Sequence, residues 1–125
     1  MQILVVDDEI DVRDLFQQRF RREIRCGELN FSFAFSGEEA MTFLRAHQSQ
    51  VLIILSDINM PGMSGLELLG HVREEFAMPP TTMVMITAYG DDESYRKAMS
   101  LGANDFLTKP VDFAVLKDKL RHLLS

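Results

Sequence analysis

Short apolar runs alternate with longer amphipathic stretches along the whole chain, and this alternation occurs five times. Each run is rich in branched or aromatic residues and ends at polar ones, a pattern typical of buried β-strands. The predicted strands are residues 3–6, the alternating run 31–35, the run 51–56 that ends at Asp57, residues 83–86 and residues 106–108. The stretches that follow these runs carry apolar residues at helical spacing, which predicts five helices.

Capping signals mark the ends of these helices. Ser36 with Glu39 and Ser64 with Glu67 have the spacing of capping boxes, which satisfy the free backbone groups of a first helical turn. Further signals are Asp91 or Asp92 before the fourth helix, Asp112 before the fifth, Pro79-Pro80 after the third and Gly102 after the fourth. The first helical stripe runs from Val12 through Phe20 to Ile24. Residues 23–30 then either extend this helix or form a projecting loop.

The regular alternation predicts an α/β domain with a mostly parallel sheet and helices on both faces. Open sheets of this class bind ligands beyond the carboxyl ends of the strands, where the strand order reverses. The residues with candidate chemistry all follow strands: Asp7 and Asp8 the first, Asp57 the third, Thr87 the fourth and Lys109 the fifth. We therefore expect these side chains to meet at one edge of the sheet.

Composition narrows the function without changing the predicted fold. The chain of 125 residues fits one domain, residues 1–125, and its 46% hydrophobic and 26% charged residues are typical of a globular protein. A net charge of −6 argues against direct binding of nucleic acid by this segment. The single cysteine, Cys26, favours a reducing, cytoplasmic compartment. No apolar stretch reaches the roughly 18 residues of a membrane span.

The acids at the predicted strand ends suggest that a divalent cation and a phosphoryl group meet there. Asp7, Asp8 and Asp57 offer only oxygen ligands, which favours Mg²⁺, Mn²⁺ or Ca²⁺ over zinc. A carboxylate such as Asp57 can attack phosphorus to give an aspartyl-phosphate. Lys109 can neutralise charge on the phosphoryl oxygens, and Thr87 can donate a hydrogen bond to one of them. The alternative is that Asp8 only caps the first helix while Asp7 is a solvated loop acid.

Four segments, taken in order, resemble the receiver domain of two-component response regulators over residues 3–124. They are LVVDDE at 4–9, SDINMPGMSG at 56–65, ITA at 86–88 and GANDFLTKP at 102–110. Each segment alone is moderately specific, and the four together at this spacing are very specific. The resemblance implies a flavodoxin-like fold, with a doubly wound parallel sheet of five strands in the order 2-1-3-4-5 and five helices.

The resemblance implies a role for each acid. Asp57 would accept the phosphoryl group from a phosphohistidine on a histidine kinase or phosphotransfer protein. Asp8, Asp57 and the backbone carbonyl of Asn59 would bind Mg²⁺, with Mn²⁺ as a substitute, and Asp7 would act through a metal-bound water. Lys109 would pair with the phosphoryl oxygens. The protein would then catalyse only its own phosphorylation and dephosphorylation.

The resemblance also implies a conformational switch. Thr87 would move to hydrogen-bond the phosphoryl group, and Phe106 would then turn inward. Asn59 and Tyr89 occupy positions that modulate phosphate lifetime, and the peptide bond before Pro110 is expected to be cis. The readout surface would comprise the fourth helix, fifth strand and fifth helix, which contact an output domain or partner and through which members often dimerise. Its candidate residues are Tyr95, Arg96, Lys97, Asp105, Lys117 and Arg121.

The chain departs from many members of this family at Phe106, where they carry tyrosine, so that a hydroxyl is lost. One alternative function is a degenerate receiver that acts only as an interaction module. A phosphatase of the haloacid-dehalogenase type needs an Asp-x-Asp pattern after the first strand, which Asp7-Asp8 does not match. A flavodoxin-like cofactor binder needs a Ser/Thr-rich phosphate loop after the first strand, where this chain has acids that repel phosphate. We also leave open whether the chain is a complete single-domain regulator or the receiver of a longer protein.

Overall fold

Five strands alternate with six helices in a computed structural model that describes residues 2–47, 50–76, 81–88 and 92–124. The strands are β1 Gln2–Val6, β2 Asn30–Ala34, β3 Val51–Asp57, β4 Thr82–Thr87 and β5 Asp105–Thr108. The helices are α1 Asp11–Arg19, α2 Arg21–Arg25, α3 Gly37–His47, α4 Gly65–Glu75, α5 Asp92–Ser100 and α6 Phe113–Leu124. None of the helices among these residues is long and apolar enough to cross a membrane.

The sheet has the strand order β2-β1-β3-β4-β5, and every neighbouring pair is parallel. The predicted α/β fold and its flavodoxin-like strand order are therefore confirmed. Val6 of β1 is in register with Ala34 of β2 on one side and with Ser56 of β3 on the other. The strand order reverses between β1 and β3, so a cleft opens beyond the carboxyl ends of these two strands.

Successive strand residues point to opposite faces of the sheet and enter two separate cores. One core joins Leu4, Ile54 and Met83 to buried side chains of α3, α4 and α5, whereas the other joins neighbouring strand residues to α1 and α6. The inner strands β1, β3 and β4 are apolar without alternation because both of their faces are covered, whereas the edge strand β2 alternates apolar and polar residues. This arrangement leaves the strand ends as the place where polar side chains can gather.

The first predicted helix is in fact two helices, which is the sixth helix that the sequence interpretation missed. Phe20 leaves the helical conformation, with φ −107° and ψ 20°, and separates α1 from α2. Its side chain is fully buried, and its ring centroid lies 5.0 Å from the ring centroid of Phe31. Because Phe16, Phe20 and Ile24 keep a spacing of four residues across the break, hydrophobic periodicity cannot reveal it.

The long connection after α1 is a helical extension followed by a tight turn, which resolves the alternative left open by the sequence. Gly27 has φ +76°, a conformation that favours glycine, and the backbone N–H groups of Glu28 and Leu29 donate to the carbonyl of Glu23. Leu29 is buried and leads directly into β2. The turn therefore places α2 close to the amino end of the sheet.

Most of the predicted caps are present. Ser64 and Glu67 form both hydrogen bonds of a capping box at α4. The Ser36 hydroxyl accepts from the Glu39 N–H at 3.0 Å, and Asp112 Oδ1 accepts from the Ala114 and Val115 N–H groups in the first turn of α6. Gly102 follows α5 with φ +102°. The Pro79-Pro80 and Asp91 signals lie outside the described residues.

Candidate functional site

Parallel pairing brings the predicted chemical residues to one edge of the sheet. Asp7 directly follows β1, Asp57 ends β3 and Thr87 ends β4. Lys109 follows β5, and its backbone N–H donates to the carbonyl of Thr87 at 2.7 Å. The peptide bond between Lys109 and Pro110 is cis, as the resemblance implied. The predicted meeting of these residues at one sheet edge is confirmed.

Lys109 bridges two carboxylates that belong to different strands. Its Nζ donates to Asp7 Oδ2 and to Asp57 Oδ2, each at 3.1 Å. The Asp7 and Asp57 residues are only 7% and 6% exposed, so both pairs lie largely out of water. A buried carboxylate is costly unless a cation faces it, and here one ammonium faces two carboxylates. The site therefore holds an excess of negative charge in a poorly solvated place.

The pKa shifts follow from that excess. Burial raises the pKa of Asp57, and the negative charge of Asp7 raises it further, while Lys109 and the Asn59 N–H act in the opposite direction. Burial lowers the pKa of Lys109, but its hydrogen bonds with Asp7 and Asp57 outweigh this and the net shift is upward. The lysine is thus held as a cation. The raised pKa of Asp57 means that Lys109 alone does not fully stabilise its carboxylate, and a further cation nearby would do so.

Asp7, Asp8 and Asp57 form a cluster that can hold a metal ion. One carboxylate oxygen from each lies within 4.8 Å of the others. Asp7 is further tied by the Glu9 N–H at 3.0 Å, whereas the exposed Asp8 side chain makes no hydrogen bond or ion pair within the described residues. An oxygen-only set with two buried members and one freely oriented member fits Mg²⁺, which takes one or two carboxylates and keeps several waters.

Asn59 connects the acid cluster to the predicted switch residue. Its backbone N–H donates to Asp57 Oδ1 at 3.3 Å, and its Nδ2 donates to the Thr87 hydroxyl oxygen at 3.0 Å. Thr87 is fully buried, while Phe106 is half-buried with its ring 5.6 Å from that of Tyr95 in a T-shaped contact. Tyr89, the second predicted modulating residue, lies outside the described residues.

The residues proposed for the readout surface do not all lie together. Tyr95, Arg96 and Lys97 are exposed on α5, and Arg121 is exposed on α6. Asp105 of β5 forms an ion pair with Lys119 at 2.8 Å. Lys117 is placed elsewhere, because its Nζ pairs with Glu23 of α2 at 3.2 Å and lies 5.3 Å from the centroid of the Phe20 ring.

The sequence interpretation gave no role to two residues that hold the loop after Asp57, although one of them, Gly65, ends the segment SDINMPGMSG. A Cβ on Gly65 would lie 2.0 Å from the carbonyl oxygen of Asp57, so only glycine lets α4 start against the end of β3. Glu38 of α3 reaches the same loop, where its Oε1 accepts from the Met63 N–H at 3.1 Å. The sequence contains both residues, but a close backbone approach and a contact between distant segments leave no local signal.

Comparison with known proteins agrees with this geometry. The family model described as the response regulator receiver domain matches residues 3–121. A chemotaxis protein CheY homolog of Campylobacter jejuni is 33% identical and is aligned over 100% of this chain and 93% of its own. A cyclic di-GMP phosphodiesterase of Thermotoga maritima is 30% identical over 99% of this chain, which spans 31% of that longer protein.

A solved structure shows the same fold at similar identity. The CheX–CheY–BeF3–Mg²⁺ complex of Borrelia burgdorferi contains a chain that is 27% identical to this one, with a TM-score of 0.88. The match covers 100% of this chain and 90% of that one. The motifs, the strand order and the acid cluster therefore have one explanation: this chain belongs to the response regulator receiver domains of two-component signalling.

Proposed function

We propose that residues 1–125 act as one receiver domain whose phosphoacceptor is Asp57. The observation that carries this proposal is the Asp57 carboxylate, buried at the carboxyl end of β3 with Lys109 Nζ at 3.1 Å and two further acids beside it. An oxygen of Asp57 attacks the phosphorus of a phosphohistidine on a histidine kinase or phosphotransfer protein. A P–O bond forms, the P–N bond breaks, and the imidazole keeps the electron pair and takes up a proton.

The neighbouring residues each have a task in this proposal. Asp8, Asp57 and the Asn59 carbonyl would hold Mg²⁺, or Mn²⁺ in its place, and Asp7 would contact it through water. The bound cation supplies positive charge that neutralises the phosphoryl oxygens. Lys109, which follows the carboxyl end of β5, supplies a second positive charge beside Asp57. Because Lys109 also bonds to Asp7, which does not react, it stays positioned when Asp57 is phosphorylated.

The switch in this proposal is a shift between two populations. In the conformation described here, the Thr87 hydroxyl accepts from the Asn59 side chain and Phe106 packs against Tyr95. A phosphoryl group on Asp57 stabilises the conformation in which Thr87 and Lys109 both contact it. The change then reaches α5, β5 and α6, which contact an output domain or partner protein and support a phosphorylation-dependent homodimer. The protein acts in the cytoplasm, as its single cysteine favours.

Intact-mass spectrometry after incubation with acetyl phosphate and Mg²⁺ tests the proposal. We expect the protein to gain the mass of one phosphoryl group, the gain to disappear without Mg²⁺, and the Asp57→Asn variant to gain nothing. Asp118→Asn is the matched control, because Asp118 is an exposed carboxylate on α6. No gain in the wild-type protein would favour the degenerate receiver, and an unchanged gain in Asp57→Asn would move the phosphoacceptor elsewhere.

A phosphatase function would show as continued release of inorganic phosphate from small phosphate esters. We expect no sustained release from these esters, since the chain lacks the Asp-x-Asp pattern after β1. The activity in the name of the phosphodiesterase relative belongs to that longer protein, of which this chain spans 31%.

A further inference from the structure

Four arginines lie close together at the junction of α1 and α2. Arg19 ends α1, while Arg21, Arg22 and Arg25 belong to α2. They supply four of the 13 lysines and arginines of a chain whose net charge is −6. All four are exposed, and we refer to them as the arginine patch.

The arginine patch lies towards the end of the molecule opposite Asp57. The α1 helix follows the carboxyl end of β1 and runs back along the sheet, so that α2 precedes β2. The first residue of β2, Asn30, is in register with Gln2 at the amino end of β1. Arg21, Arg22 and Arg25 can therefore be changed without touching the residues proposed to take part in phosphorylation.

The positive charge of the patch is not neutralised by its own segment. Glu23 is the only acid among residues 19–25, and it faces α6, where its Oε2 lies 3.2 Å from Lys117 Nζ. Within the described part of the chain, Arg21, Arg22 and Arg25 form no ion pair. Glu23, the carboxylate within this segment, is thus shared between Arg22 and a lysine from another helix.

The backbone that carries the patch is held by packing. Phe20, between the two helices, is fully buried, and Lys117 Nζ lies 5.3 Å from its ring centroid. The Arg19 guanidinium lies 5.5 Å from the ring centroid of Phe113 on α6. A surface whose backbone is already ordered has less conformational entropy to lose when a partner binds.

We propose that the arginine patch docks an acidic segment of a partner protein. Arginine presents a planar fork that matches a carboxylate with two parallel hydrogen bonds, and the four neighbouring basic residues are all arginines rather than lysines. A short run of Glu and Asp side chains is small enough to contact only the arginine patch, without facing the acidic remainder of the surface. A nucleic acid duplex or an anionic membrane also faces the rest of a chain with net charge −6, which repels it. The proposal is independent of the function proposed for Asp57.

Fluorescence anisotropy of a short fluorescein-labelled oligoglutamate peptide tests this docking. We expect salt-sensitive binding to the wild-type protein and a loss of roughly ten-fold in affinity on replacing Arg21, Arg22 and Arg25 together by Gln, since three exposed ion pairs are removed. The control replaces three exposed cations elsewhere, Arg96, Lys97 and Arg121, by Gln and should bind as wild type. Replacement of the patch by three lysines should recover only part of the affinity, because the charge returns without the fork.

Parallel titrations use vesicles of phosphatidylglycerol with phosphatidylcholine and a labelled DNA duplex. Stronger binding of either polyanion than of the peptide would overturn the proposal, as would equal peptide affinity of the patch variant and the control variant. Circular dichroism shows whether the patch variant is folded, and its labelling by acetyl phosphate should match that of wild type. A defect in labelling with intact peptide binding would concern Asp57 and not the arginine patch.

Discussion

The two ends of the sheet differ in the burial and pairing of their charged side chains. At the carboxyl end, Asp7, Asp57 and Lys109 are mostly withdrawn from water and are linked to one another at 3.1 Å. At the amino end, the arginines of α2 are exposed and, among the described residues, form no ion pair. A buried charge that is not fully compensated lowers stability, so its presence indicates chemistry or ligand binding at that place.

Exposed charges are weaker evidence of chemistry or ligand binding, because water already stabilises them. The arginine patch is notable only for its concentration in an acidic chain and for the inward orientation of Glu23. Arg73 of α4 shows a third use of charge at the amino end, where it donates to the carbonyls of Thr81 and Gly102 and to Asn104 Oδ1. Substitutions at each of these places test the difference between the two ends of the sheet.

The largest expected effect concerns the backbone at the carboxyl end. A methyl group at Gly65 would meet the Asp57 carbonyl oxygen at 2.0 Å, so we expect Gly65→Ala to lower the free energy of unfolding by about 3 kcal/mol. Gly70→Ala in the same helix meets no atom within 4 Å and should raise it by up to about 1 kcal/mol. Urea denaturation measures both, and similar losses in the two variants would contradict the close approach.

The next effect concerns Arg73 at the amino end. Arg73→Met removes three hydrogen bonds and leaves carbonyl groups near β4 and β5 without a donor, which should lower the free energy of unfolding by about 2 kcal/mol. Arg45→Met is the control, since it removes an exposed pair with Glu75 and should cost under about 1 kcal/mol. Equal costs would mean that burial does not distinguish the two arginines.

A smaller effect separates the two acids that follow β1. Asp8 is exposed and free to turn towards a cation, whereas Asp7 is already bonded to Lys109 and to the Glu9 N–H. We therefore expect Asp8→Ala to weaken Mg²⁺ binding by about ten-fold or more, and Asp7→Ala to weaken it less. Calorimetric titration with Mg²⁺ gives both affinities. Equal losses, or a greater loss in Asp7→Ala, would count against direct ligation by Asp8.

The smallest effect concerns Glu23, which joins α2 to α6. Burial raises the pKa of Glu23, but hydrogen bonding and its pair with Lys117 outweigh this, and the net pKa lies below the ordinary value of 4.5. Its stabilising contribution is therefore present above that value and is lost as the pH falls through the lowered pKa. Glu23→Gln should lower stability by under about 1 kcal/mol at neutral pH. Denaturation at several pH values should show the difference from wild type vanishing in acid, and a difference that grows in acid would reverse the assignment.

Local patterns were sufficient to predict the alternation of strands and helices and the residues that follow each strand, whereas the strand order was implied by the family resemblance. Alternating apolar runs and helical stripes are local patterns, and parallel strands necessarily bring Asp7, Asp57 and Lys109 to one edge. The break at Phe20 could not be predicted, since the apolar spacing continues through it. Gly65 and the orientation of Lys117 depend on which distant backbone or helix comes near, and this is decided only by tertiary packing.

The central claim is that the carboxyl end of the sheet carries one reactive carboxylate, Asp57. Borohydride reduces an aspartyl-phosphate to homoserine, so reduction after treatment with acetyl phosphate and Mg²⁺ marks the phosphorylated position for peptide mass spectrometry. We predict homoserine at position 57 and unmodified aspartate at positions 7 and 8. Homoserine at position 7 or 8, or a phosphorylated protein without homoserine at position 57, would contradict the account.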